Sequence, residues 1–439
     1  MSKKRTPASA TVTGPKSAAW LKLSQQFEAG CMSQQAAIVL DHGQGVMLWD
    51  VDGKAYYDWT SGVLVTNCGH SHPRMVEAIS RQAATLMNVY DFPTPPRLEL
   101  ARRLVGLMPK HLNRCFLLTT GSETTEAALR LARRYTGRNE IMSFWGGFHG
   151  RTMGAMSMGG KASGKKGFGT LMPGVVFSPY AYCYRCPFQM TYPKCDLFCA
   201  GWLDQIKKTE STGDIGGLIV EPYQGASGFI VPPKGWLTRV QQWCKANDVL
   251  FILDEVQASF GRTGKMFALE HEKLKPNMLC LGKGIGSGVT TAALMSEEKI
   301  FKCLAPGEMS STHGGNPLCT AGSLAVLDIF KEEKLEQNSA AIGKYMLGRF
   351  QKMQKSCRTL GDVRGQGLVM GLEFVKDKKT KEPAADVTVE VINRCVASGL
   401  LVGRVGFYGN VIRVAPPLVI TRDEAAKSCD ILEKILKSL

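Results

Sequence analysis

Three short segments carry side chains that could do covalent chemistry together. An apolar run, Leu250-Phe251-Ile252-Leu253, ends in Asp254-Glu255. A second, Met278-Leu279-Cys280-Leu281, ends in Gly282-Lys283-Gly284. Upstream, Thr119-Thr120-Gly121-Ser122-Glu123 opens a helical pattern. A lysine flanked by glycines can approach an aldehyde closely, and partial desolvation makes its amine a nucleophile and a base. A carboxylate at a buried strand end can keep a ring nitrogen protonated, so that the ring accepts electrons. Gly121 and Ser122 at a helix N-terminus offer N–H groups, a hydroxyl and the positive end of the helix dipole to a phosphate. Taken alone, each has a commoner use. A Gly-Ser pair is usually a cap, a terminal acid is usually solvated, and a Gly-Lys-Gly turn is usually only a turn. Their order and spacing suit one ligand bearing a phosphate, a protonatable ring and an aldehyde.

Converging such groups requires strands that end at one edge. Short β runs at 115–119, 140–144, 217–220, 249–253, 278–281 and 291–295 alternate with helical patterns, among them 122–135 and 236–246. That alternation predicts a mainly parallel sheet covered on both faces, with ligands beyond the carboxyl ends of its strands. Before it, 46–59 reads as a hairpin turning at Asp52-Gly53, and helices open at Pro73 and Pro96. After Asn316-Pro317 a helix runs to Ile329, and the remainder mixes helices and short strands. The expected division is a flexible tail over 1–25, a large domain over 73–329, and a smaller α+β domain built from 26–72 and 330–439.

Composition narrows the class. The 439 residues are 44% hydrophobic and 21% charged, which suits a soluble chain with a large core. No apolar run approaches the length of a membrane span. Lys and Arg total 54 against 38 acids, a net +16. No dense basic run with interleaved aromatics accompanies that charge, so anionic small molecules are expected rather than nucleic acid or membrane. The 14 cysteines are scattered, several within apolar patterns, as for reduced thiols in a cytoplasmic enzyme. The basic, acid-free first 20 residues lack the apolar core of a secretory signal.

The ordered pieces LLTTGSETTEAAL, WGGFHGRTMG, LIVEPYQGASG, LFILDEVQASFGRTGKMFA, LCLGKGIGSG, STHGGNP and IRVAPPL resemble the class III aminotransferases, over about residues 40 to 430. These are fold-type I pyridoxal-phosphate enzymes that include 4-aminobutyrate and ornithine aminotransferases. The resemblance implies a large domain with a mainly parallel seven-stranded sheet and a smaller α+β domain. It implies pyridoxal 5'-phosphate held as a Schiff base by Lys283. Asp254 would pair with the pyridine nitrogen and Gln257 with the ring hydroxyl. Gly121 and Ser122 would bind the phosphate, Phe148 would stack on the ring with His149 behind it, and Glu221 would support the site. Thr312 would reach the phosphate of a neighbouring subunit, which requires a homodimer with shared sites, or a tetramer of such dimers. Arg413 would grip an α-carboxylate and Arg151 a distal carboxylate, the alternative for Arg151 being a structural ion pair. An amino donor and a 2-oxo acid acceptor are the implied partners, and an omega-amino acid such as 4-aminobutyrate leads among donors.

Two departures bear on substrate. Gln224-Gly225-Ala226 stands where aminobutyrate and ornithine members carry a Glu that masks the α-carboxylate arginine. Val63 stands at a substrate-wall position where dialkylglycine decarboxylase has Gln. With Ala226, Arg413 would stay open, so an amino-acid racemase or 2-epimerase of the same family is the alternative outcome. Separately, Cys183-x2-Cys186-x8-Cys195-x3-Cys199 lies in an insertion remote from Lys283. Its spacing resembles a small metal site, with free or redox-active thiols as the alternative.

Overall fold

A computed structural model describes residues 13–32 and 35–439. Seven strands form the central sheet, in the order Arg114–Leu118, Ala292–Ser296, Met278–Leu281, Leu250–Glu255, Ile215–Val220, Glu140–Phe144, Val175–Ser178. Ala292–Ser296 runs antiparallel to both neighbours, and the other pairs are parallel. The inner strands are apolar and buried along their whole length, because helices cover both faces. Ile219 and Ile252 face Ala128 and Leu131 of the Gly121–Thr136 helix. Their neighbours Leu218, Phe251 and Leu253 belong to the opposite layer with Trp236 and Val240. This alternation is the period-two geometry of a strand clamped between two helical layers.

Five parallel-sheet strands and the Arg114–Leu118 edge deliver their carboxyl ends to one side. Leu118 leads to Thr119-Thr120-Gly121, Val220 to Glu221, and Leu281 to Gly282-Lys283. The 250s strand continues to Glu255, so Asp254 pairs with Cys280 inside the sheet instead of following the strand. The sequence reading missed the Val175–Ser178 edge strand, whose four residues between Gly174 and Pro179 carry too short a pattern.

Two smaller sheets flank this core. Leu40–Gln44, Met47–Asp50 and Ala55–Asp58 form an antiparallel meander, and Leu400–Leu401 pairs parallel with its last strand. The other sheet is antiparallel: Leu360–Gln366, Val369–Phe374, Val411–Val414 and Gly403–Val405. The expected tail over 1–25 is corrected in part. Pro15–Phe27 is helical, and Asp52 of the hairpin turn accepts the Lys16 and Ser17 backbone N–H groups, both at 2.9 Å. A carboxylate at orphan helix N–H groups satisfies those donors and complements the dipole. Residues 1–12 lie outside the described residues.

Candidate active site

A cleft of about 670 Å³ opens at the carboxyl ends of the central strands. Gly121, Ser122, Phe148, His149, Glu221, Asp254, Gln257 and Lys283, separated by up to 162 positions in the chain, all line it. Asp254 is fixed at both oxygens. Oδ2 lies 2.7 Å from His149 Nδ1, and Oδ1 accepts the Val256 N–H at 3.0 Å. Both side chains are almost wholly buried, so the pair is a charge-assisted contact in a low-dielectric setting. Ser143 lies behind His149, with its oxygen 3.4 Å from Nε2. Glu221 accepts the Phe148 N–H at 2.9 Å and the Gly225 N–H at 3.1 Å. Burial pushes its carboxyl up to about 7, with His149 opposing and Asp254 adding to the rise.

Lys283 sits at the turn after its strand with φ of 46°, in the left-handed region that a side chain occupies only at a cost. Burial lowers its ammonium pKa, against the pull of Asp254 and Glu221 and with the push of Arg413. The free amine is therefore more accessible than on an exposed lysine. Across the cleft, Gln257 Oε1 is buried without a hydrogen-bond partner. A Cβ on Gly225 would come within 1.9 Å of that oxygen, so the glycine leaves Gln257 its place.

At the other end, the Gly121–Thr136 helix begins with a capping box in which Thr120 and Glu123 satisfy each other's backbone. The cap holds the first turn while Ser122 faces the cleft. Here backbones approach closely. A Cβ on Gly121 would meet Val256 Cγ1 at 2.5 Å, and one on Gly150 would meet Ser122 Oγ at 2.5 Å. Thr120, Tyr223 and Ala226 also line the cleft. Thr120 and Tyr223 were missed in the sequence as site residues, although each directly neighbours a motif residue.

Four candidates lie outside this lining. Arg413, on the Val411–Val414 strand, is buried, and its Nε and Nη2 have no hydrogen-bond partner. It makes no ion pair among the described residues, and burial lowers its pKa. Arg151 is exposed, with its guanidinium 5.7 Å from the Phe148 ring centroid and its N–H donating to Ser122 Oγ. It too makes no ion pair among the described residues. Val63 is exposed within a left-handed stretch, Ser61 to Leu64, with φ of 48, 58, 67 and 64°. Thr312 is exposed, next to Ser311, whose hydroxyl donates to Glu123 of the capping box at 3.3 Å. The four clustered cysteines line a separate pocket.

The model of the family described as aminotransferase class-III matches residues 30–436. The chain belongs to the class III aminotransferases. A probable 4-aminobutyrate aminotransferase of Bacillus subtilis is 34% identical over 437 residues, covering 98% of this chain and 100% of that one. A leucine/methionine racemase of Thermococcus litoralis is 32% identical over 419 residues, covering 94% of each. An amine transaminase from an uncultivated Pseudomonas species, solved in its PLP-bound form, superposes with a TM-score of 0.89 at 30% identity, covering 94% of this chain and 98% of that one.

This aminotransferase is a pyridoxal-phosphate-dependent enzyme of fold type I. Its cleft fits that cofactor by its own chemistry. An unpartnered buried acceptor, Gln257 Oε1, suits a ring hydroxyl, and the Asp254–His149 pair suits a protonated ring nitrogen. The glycine-lined helix start suits a phosphate. Among the described residues no helix is long and apolar enough to cross a membrane.

Proposed function

We propose that this aminotransferase moves an amino group from an amino acid or amine to a 2-oxo acid in a ping-pong cycle, with an omega-amino acid such as 4-aminobutyrate the first donor expected. One observation carries the reading. Lys283 and the Asp254–His149 pair share a cleft, and the nearby Arg413 guanidinium is buried with two N–H-bearing nitrogens unpartnered. A buried cation without a carboxylate is costly, and a carboxylate-bearing substrate would supply the missing partner. Pyridoxal phosphate, when bound, supplies an electron sink conjugated to the substrate amine.

The chain's own residues would do the rest. Lys283 would hold the cofactor and would take up and return the proton at substrate Cα, a role suited to its lowered pKa. Asp254 would keep the ring nitrogen protonated, and its contact with His149 holds Asp254 in place for that. Glu221 fixes the backbone of Phe148, whose ring would help hold the cofactor. Arg151 would swing from Phe148 to a distal carboxylate, and Val63 would form part of the substrate wall. Thr312, exposed on this subunit, would reach the phosphate of a second, giving a homodimer with shared sites, alone or paired into a tetramer. The pairing of Leu400–Leu401 with the 55–58 strand supports taking 26–72 and 330–439 as one small domain against 73–329. Cytoplasmic residence remains part of this proposal.

A second reading rests on Ala226. It lines the cleft where a masking carboxylate is found in aminobutyrate members, so Arg413 stays open to α-amino acids. That favours an amino-acid racemase or 2-epimerase as the alternative, the activity named for the Thermococcus litoralis relative. A donor panel decides. Purified enzyme is mixed with 4-aminobutyrate, ornithine, lysine, β-alanine, branched α-amino acids and simple amines, and loss of the cofactor's visible band is followed. Fast loss with an omega-amino acid, restored by an oxo acid, supports the proposal. Inversion of an α-amino acid with deuterium uptake and no oxo-acid consumption would overturn it in favour of the racemase.

A further inference from the structure

The insertion between the Val175–Ser178 strand and the Phe198–Glu210 helix serves none of the chemistry above. It folds back so that Cys183, Cys186, Cys195 and Cys199 line one small pocket of about 370 Å³. Residues 12 or more apart in sequence are thereby brought within electrostatic reach: the Cys183 and Cys199 thiols both feel Cys195 and Cys186. All four thiols are free.

We propose that Cys183, Cys186, Cys195 and Cys199 form a structural tetrathiolate site for zinc. The spacing is two pairs, C-x2-C and C-x3-C, each presented on a tight turn. Cys183–Arg185 is a single 3-10 turn, and the Gln189 N–H closes a turn on Cys186 O at 3.0 Å. The Phe198 N–H closes another on Cys195 O at 3.0 Å, which delivers Cys199 into the first turn of a 13-residue helix. Paired cysteines on turns, joined by a short loop, are the ligand arrangement of closed zinc sites.

The surroundings are prepared for thiolates. Trp236 is completely buried and its indole N–H makes no hydrogen bond of normal geometry. Cys199 is the acceptor that this N–H addresses. A thiol is a poor acceptor, whereas a metal-bound thiolate takes N–H donors readily, as outer-shell partners of metal ligands do. The pocket wall is largely apolar, with Phe188 and Phe198 in ring contact at 5.1 Å and Trp202 packed against both of them at 5.1 and 5.7 Å.

Among the described residues no three His, Cys, Asp or Glu side chains already stand at ligand geometry. Zinc binding by the cluster therefore requires the four sulfurs to close on the ion. The loop is anchored for a structural purpose. Arg185 donates to Glu373 at 2.6 Å, the Tyr182 hydroxyl donates to the same carboxylate, and Lys381 donates to Tyr184 O at 2.9 Å. Zinc at the pocket would stiffen the bridge from the central sheet to the Val369–Phe374 strand.

The test uses the full-length enzyme, reduced and freed of loosely held metal. Elemental analysis should find about one zinc per chain. After chelator extraction, cobalt(II) should restore the metal and give the visible d–d bands and sulfur charge-transfer bands of a tetrahedral thiolate centre. Cys186→Ser with Cys195→Ser should lose the zinc and the cobalt bands while the cofactor's visible band remains. Three results would overturn the proposal. One is zinc well below half an equivalent with no tetrahedral cobalt spectrum on the unmutated enzyme. The second is stoichiometric iron in place of zinc. The third is a shortfall of four titratable thiols in denatured, unreduced protein, which would make the cluster two disulfides.

Discussion

Replacing Asp254 with Asn keeps the shape of the side chain and removes its charge. The amide oxygen can still accept the Val256 N–H, now made at 3.0 Å to Oδ1. What is lost is the anion 2.7 Å from His149 Nδ1 and the preference for a protonated ring nitrogen at the same carboxylate. Unit charges about 3 Å apart at an effective dielectric near 20 interact by roughly 5 kcal/mol. Reorganisation and residual solvent leave the value typical of a hydrogen bond to a charged group, about 1.5–3 kcal/mol. Applied to the proton-transfer step, about 3 kcal/mol corresponds to roughly a hundredfold in rate. The assay is a stopped-flow half-reaction with saturating donor, with cofactor content measured separately by absorbance. Asp254→Asn should retain the cofactor and lose most of the rate. A variant that keeps the cofactor and reacts at the wild-type rate would refute the assignment of Asp254 to the ring nitrogen.

Arg413→Met removes a buried, unpaired cation. Calorimetry of the cofactor-free protein should show stability unchanged or raised by about 1 kcal/mol, while the KM for 2-oxo acids rises roughly a hundredfold; lost stability with unchanged KM would make Arg413 structural. Burial pushes the Glu221 carboxyl up to about 7 in the folded chain, from an ordinary value of 4.5. The folded chain therefore keeps a proton that the unfolded chain releases, and stability contributed by this group falls as pH rises from about 4.5 to 7. Glu221→Gln should flatten the pH dependence of denaturant unfolding by nearly one proton in that window, and an unchanged slope would refute the assignment. Gly225→Ala would drive a Cβ into Gln257 Oε1 and should weaken cofactor binding about tenfold, read by equilibrium titration, with little change in melting temperature. If sites are shared, mixing Lys283→Ala and Thr312→Ala chains after subunit exchange should restore activity that neither variant has, because one site of each mixed dimer carries both lesions and the other carries none.

The parts of the site that could be read from the sequence are those held by local geometry. Asp254, Glu221 and Lys283 stand within two residues of a strand's end, and the apolar runs before them show where each strand stops. Parallel pairing then brings them together without further information, because adjacent strands in such a sheet end at the same edge. The capping box is likewise local, since Thr120 and Glu123 are three residues apart. Arg413 was placed by family likeness, and its lack of an ion pair among the described residues is a property of the fold: its strand pairs with Gly371 on one side and Gly403 on the other, and Asp58 acts on it only electrostatically.

Long-range polar contacts were not legible in the same way. Glu373 collects Arg185, Tyr182 and Arg364 from segments almost two hundred residues apart, and no periodicity announces such a meeting. Arg262 is completely buried and holds Leu368 O, Pro416 O and Asn67 Oδ1, tying three chain segments together with one guanidinium. Both networks sit where the flanking sheets meet the central one. Most of their donors reach backbone carbonyls or a buried carboxylate, with Arg185 Nη2 and Arg262 Nε left over, so each mainly fixes a position. The contrast with Arg413 is informative. Arg262 and Arg364 reach partners within the chain, whereas Arg413 is buried to a similar extent and leaves two nitrogens unused. Arg185 and Arg262 each leave one nitrogen unpartnered, whereas Arg413, close enough to Lys283 to act on it electrostatically, leaves two, and that difference is what the Arg413→Met variant tests.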